Sequence, residues 1–96
     1  MKFVPKEIAG ATVILYSPID ERHRPTGNCK QIVAGVLVGP AAGLAICKYD
    51  GDEGFYLFGC DAIWNTVTDT LHESIEEAKA QAEFEYEGVR NTWVSM

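Results

Sequence analysis

Residues 11–17 (Ala-Thr-Val-Ile-Leu-Tyr-Ser) are β-branched and aromatic and stop at Pro18, which predicts a strand. Two further β-rich runs, 31–38 and 43–49, flank a Gly39-Pro40-Ala41-Ala42 turn. The run Asp50-Gly51-Asp52-Glu53-Gly54 is a strong turn signal and sets off a fourth strand over 55–60, Phe-Tyr-Leu-Phe-Gly-Cys. Asp61 to Asn65 turns again, and Thr66, Val67, Thr68 and Thr70 support a fifth strand over 66–72. The apolar period then changes from two residues to between three and four: Ile75, Ala78, Ala82, Tyr86 and Val89 form one stripe, predicting a helix over 75–87. Ser74 is its N-cap, Glu77 completes a capping box, and Gly88 stands where a left-handed residue ends a helix. Asn91 to Val94 reads as a short closing strand, with Trp93 tucked against the helix.

The order βββββα with a final short strand describes one α+β domain over residues 1–96: an antiparallel sheet of about five strands with one C-terminal helix packed on one face. A helix is about 10 Å wide and five strands span about 24 Å, so a single helix leaves much of the sheet bare. Both faces are nevertheless apolar. Val13 and Leu15 oppose Ile14 and Tyr16, Leu44 and Ile46 oppose Ala45 and Cys47, and Phe55 and Leu57 oppose Tyr56 and Phe58. Something must cover the second face: the long polar connection Pro18 to Lys30, curling of the sheet, a second copy of the chain, or another partner.

Composition adds limits. With 96 residues, 47% hydrophobic and 23% charged, the chain is long enough to hide roughly 64% of its surface in one core, and disorder is excluded. The uncharged stretch between Lys30 and Lys48 is broken by Gly39-Pro40 and falls short of the roughly 20 residues of a spanning helix, so no membrane segment is expected. Pro5 and Glu7 interrupt the only candidate leader, which points to a cytoplasmic protein.

Charge is split along the chain. Residues 1–49 carry six Lys/Arg against three carboxylates, whereas residues 50–87 carry eleven carboxylates against Lys79 alone, a net of −10. Such a segment repels phosphate backbones and anionic lipid, so nucleic acid and membrane are excluded as partners and a basic protein or cationic small molecule is favoured. Solubility of a small domain is the plainer reading of the same acidity.

Candidate chemistry is sparse. Cys29, Cys47 and Cys60 form no C-x-x-C pair and are odd in number; Cys47 and Cys60 read as small buried strand residues, with a zinc site drawn from these and His23 or His72 as the alternative. His23 lies in Glu21-Arg22-His23-Arg24-Pro25, either an anion-binding loop or a solvated connection. Asp69 and His72 fall on opposite faces of a strand, and Ser17 and Ser74 lack a nucleophile elbow. No Walker, dinucleotide or calcium-loop pattern is present, so neither cofactor nor metal is expected and catalysis is not supported.

The runs Phe55–Asp61, Thr68–Lys79 and Gln81–Gly88 resemble a group of short uncharacterised bacterial proteins with the same hairpin-helix ending, over about residues 49–93. In size, charge and architecture the chain is also similar to immunity proteins of bacterial toxin systems and to mobile gene-cassette proteins. That resemblance implies no active-site residues. The expectation is therefore a non-catalytic binding protein whose acidic surface engages a basic partner, as a toxin-immunity protein does, through Trp64, Asp61, Asp69, Glu76, Glu83 and Glu87. The alternative is a small-molecule binder with a pocket between the curled sheet and loop 18–30, lined by Tyr16, Tyr49, Tyr56, Phe58 and His23. Homodimerisation through the open face is compatible with both.

Overall fold

The computed structural model describes residues 3–29, 32–37 and 39–96. In chain order the elements are β1 (Glu7–Ile8), β2 (Ala11–Pro18), β3 (Arg24–Pro25), β4 (Ile32–Val33), β5 (Val36–Leu37), β6 (Gly43–Lys48), β7 (Phe55–Cys60), β8 (Thr66–His72), α1 (Ile75–Glu85), β9 (Tyr86–Glu87), a 3₁₀ turn (Val89–Asn91) and β10 (Val94–Ser95). The main antiparallel sheet runs β1-β2-β6-β7-β8, and β10 joins the outer edge of β2 beyond β1. The α+β architecture expected from the hairpin pattern is the one observed, with a single helix packed on the curled sheet.

Three element boundaries differ from the expectation. The run 31–38 is not one strand: Ala34 and Gly35 take positive φ (52° and 79°), the conformation of a two-residue hairpin turn, and fold β4 onto β5 as a separate ribbon. Residues 30, 31 and 38 lie outside the described set. The helix stops at Glu85 rather than 87, because Tyr86 and Glu87 turn extended to pair with Pro25 and Arg24. The closing strand falls at 94–95, after a 3₁₀ turn.

The two sheet faces are separate apolar layers. On one, Leu44, Ile46 and Leu57 pack under Ala78, Ala82, Tyr86 and Val89, with Leu15, Phe55, Ile75 and Trp93 at the margins. The predicted helical stripe is therefore the buried one. On the other, Val13, Ala45, Cys47, Phe58 and Cys60 pack with Ile8, Ala11 and Trp64. Alternation in β6 and β7 follows the sequence pattern, but β2 departs from it. A bulge between Val13 and Leu15 inserts Ile14, so Val13 and Leu15, expected on one face, lie in different layers.

The described part of the long connection, residues 18–29, does not cover the second face. It runs along the helix side, where Ile19 joins the helix-facing layer, and Thr26 and Asn28 donate hydrogen bonds to the Phe84 carbonyl (2.6 and 3.0 Å). That carbonyl lies in the last turn of the helix, where the main-chain acceptors lack intrahelical partners. The second face is closed instead by Trp64, by Ile8 and Val4 near the N-terminus, and by an aromatic row in which Tyr49 meets Tyr56 edge-on and Tyr56 stacks on Phe58 (centroids 5.4 and 5.8 Å).

Candidate binding surface

The start of α1 sets the geometry of an acidic groove. Ser74 leaves the strand in an extended conformation, and its Oγ accepts the Glu77 N–H at 3.1 Å. Glu77 reaches back in turn, its Oε2 accepting the Glu73 N–H at 2.9 Å, which fixes one carboxylate over the first turn beside Glu73. Across from it the β6–β7 turn brings in Glu53 and Gly54. Leu71 lies hard against Gly54, where a Cβ would come within 2.6 Å of its Cδ1. The result is a groove of about 700 Å³ lined by Glu53, Gly54, Leu71, His72, Glu73 and Glu77. His72 Nε2 shares a 2.7 Å hydrogen bond with Thr70 Oγ1, so that nitrogen is already occupied. Among the described residues three carboxylates and no Lys or Arg line this groove, and Leu71, 59% exposed, adds an apolar surface.

The expected partner-binding residues separate into two groups. Trp64 is a packed residue, 4% exposed, and belongs to the second-face layer rather than to a presented hot spot. Asp61 is what places it there: Asp61 Oδ1 accepts the N–H groups of Asn65 and Ile63 (2.9 and 3.0 Å), and the Asp61 carbonyl accepts the Trp64 N–H. The Asn65 N–H is the largest influence holding the Asp61 carboxyl below its ordinary value, ahead of the opposing effect of desolvation. Glu83 is likewise occupied, accepting from the N–H groups of Gly88 and Arg90 at 2.9 and 3.0 Å. Desolvation opposes its ionisation, but these donors outweigh it and lower its pKa. Glu87 pairs with Arg24 at 2.8 Å. Asp69 and Glu76 are exposed.

Comparison with family models, with curated proteins and with solved structures returns no match. The surface must be read from its own chemistry.

The pocket of the alternative reading is not assembled. Tyr16, Tyr49 and Tyr56 pack against the second-face core that contains Phe58, whereas His23 is held in the helix-side loop. His23 Nδ1 accepts the Asp20 N–H (3.1 Å), so its proton sits on Nε2 and is donated to Thr92 Oγ1 (2.8 Å), which also meets the buried Ser17 Oγ at 2.7 Å. This side chain pins the loop to the segment after the helix. Among the described residues no three His, Cys, Asp or Glu are grouped to hold a metal ion, and no helix is long and apolar enough to cross a membrane.

Sequence reasoning passed over Glu53, Leu71, Glu73 and Glu77 as a group. The available signal was Gly54 two residues after Asp52: a side chain there would meet the His72 carbonyl oxygen at 3.2 Å and push Leu71 aside.

Proposed function

We propose that the chain is a non-catalytic binding protein whose acidic surface engages a basic protein, centred on the groove between the Glu53 turn, the end of β8 and the start of α1. The observation that carries this reading is the lining itself: Glu53, Glu73 and Glu77 converge on one concave surface with Leu71 and His72 and, among the described residues, no compensating cation. A Lys or Arg side chain suits such a groove, its head among carboxylates and its methylene stem on Leu71. Exposed Asp69 and Glu76 add to the same negative field. Neutralising a basic toxin, as immunity proteins do, is the role in this class that the chain's size and acidity support.

Fluorescence anisotropy with labelled oligolysine is the test. Binding is expected at low ionic strength, weakening steeply as salt is added, and largely lost in a Glu53→Lys/Glu73→Lys variant. Equal binding by the variant would remove the groove from the interface. Glu77 and Glu83 are left untouched because both accept backbone N–H groups and their loss disturbs the fold itself.

A further inference from the structure

The two lateral edges of the main sheet are treated differently. The outer edge of β2 is closed by β1 at one end and β10 at the other. β8 pairs only with β7, and among the described residues no strand lies on its outer side. An unpaired edge presents a row of backbone N–H and C=O groups, and proteins normally blunt such edges with proline, lysine, shortness or a covering element. β8 is seven residues long, Thr-Val-Thr-Asp-Thr-Leu-His, with no proline, glycine or lysine and a single charge, Asp69. Leu71 is 59% and Val67 41% exposed.

We propose that this edge is a strand-addition site for an extended segment of a partner protein that carries Lys or Arg flanked by apolar residues. The proposal rests on the acidic-surface reading and names how the partner is held. Backbone pairing along β8 supplies affinity, and side chains alternate above and below the added strand to supply selectivity. Asp69 and Leu71 share the face of their cross-strand partners Phe58 and Tyr56, so an acidic and an apolar position follow one another along that face of the edge. At one end lies the groove with Glu53, Glu73 and Glu77; beside the middle, Glu85 shares a small cleft with Thr68, Asp69 and Thr70. Among the described residues, Lys and Arg line neither.

That charge decides the occupant. A second copy pairing antiparallel about the strand's midpoint sets Asp69 directly opposite Asp69, and like charges in facing positions destabilise a ladder. A basic strand sets a cation there instead.

The test uses a labelled peptide alternating lysine and valine, and the same peptide N-methylated on alternate backbone nitrogens in each of the two possible registers. N-methylation keeps the charge and removes ladder donors. The parent peptide is expected to bind, with protection of β8 amides against hydrogen exchange. One N-methyl register should bind at least tenfold more weakly, the other should match the parent, and Asp69→Lys should abolish binding of all three. Equal, salt-sensitive binding by all three peptides overturns strand addition while leaving the acidic-surface reading standing. Absence of binding even at low salt overturns both. Concentration-dependent protection of β8 amides in the protein alone overturns the basic partner in favour of a second copy.

Discussion

Trp64 meets Tyr16 edge-on, with ring centroids 5.9 Å apart and planes at 87°, the geometry in which the positive ring edge of one aromatic faces the negative face of the other. This pair joins the turn before β8 to the centre of β2 and helps close the face that the helix does not reach. Trp64→Ala should therefore cost ~3–5 kcal/mol in urea unfolding. Because Trp64 sits at φ +65°, Trp64→Gly should be no worse than Trp64→Ala, reversing the usual order of the two substitutions. A loss below ~1 kcal/mol would mean the second face is not held by this residue.

Gly88 joins the helix end to loop 18–30. It adopts φ +100°, and a Cβ there would lie 2.8 Å from the Arg22 carbonyl oxygen. Gly88→Ala meets both penalties, backbone strain and a clash with main chain that cannot rotate away, and should cost more than ~1 kcal/mol. Its hydrogen-exchange signature should be lost protection at the His23 and Thr26 amides, which bond the Asp20 and Glu85 carbonyls. Uniform loss across the sheet, with the loop spared, would contradict this coupling.

These two residues also mark how far the sequence could be read. The helix start was legible because capping is local chemistry: Ser74 at the N-cap and Glu77 three residues on need only their neighbours, whereas Gly88, expected to end the helix, takes its positive φ beyond an extended C-cap, Tyr86, at the head of the 3₁₀ turn. The end of the helix at Glu85 was not legible, because what ends it is distant: the Ala41 N–H donates to the Tyr86 hydroxyl at 2.7 Å, and β9 pairs with β3. Faces of β6 and β7 followed from simple alternation, whereas the bulge at Ile14 silently reversed half of β2. Trp64, between Asp61 and Asp69, reads either as a presented hot spot or as a packed hairpin-turn residue; the Asx-type bonds of Asp61 that fold it inward become visible only with the main chain in place. The open edge of β8 could not be seen at all, since strand order is not written in strand identity.

Asp20 should titrate at unusually low pH. Two side-chain hydrogen bonds from Arg22 are the main cause, its Nε and Nη2 donating to the two carboxylate oxygens at 3.0 and 2.9 Å, and they hold the Asp20 pKa at about 2 against an ordinary 3.8. A depressed carboxylate contributes stability that is complete above its unfolded value and is lost as pH falls through the folded one, so the window runs from 3.8 down to about 2. The pair is solvent-facing and its contribution to global stability is small. Carboxyl carbon titration by NMR reads the site directly: Arg22→Gln should bring the Asp20 midpoint part of the way back toward 3.8, the residue 22 N–H still donating to Oδ1, and an unchanged midpoint would assign the depression to something other than the Arg22 side chain.

The three cysteines should divide by reactivity. Cys47 and Cys60 are fully buried in the second-face layer, and desolvation pushes both thiols from 9.0 up to about 12, while Cys29 is exposed at the end of the described loop. The thiolate is the reactive form, so at neutral pH a thiol reagent should label Cys29 and reach the other two only on unfolding. A raised thiol pKa contributes stability that is complete below the unfolded value and is lost as pH rises through the folded one. Alkaline unfolding should therefore gain a component between 9.0 and about 12 that a Cys47→Ala/Cys60→Ala variant, less stable at neutral pH, does not show. Rapid labelling of two thiols in the native protein would show that the second face opens far more readily than a layer closed by Trp64 and Tyr16 allows.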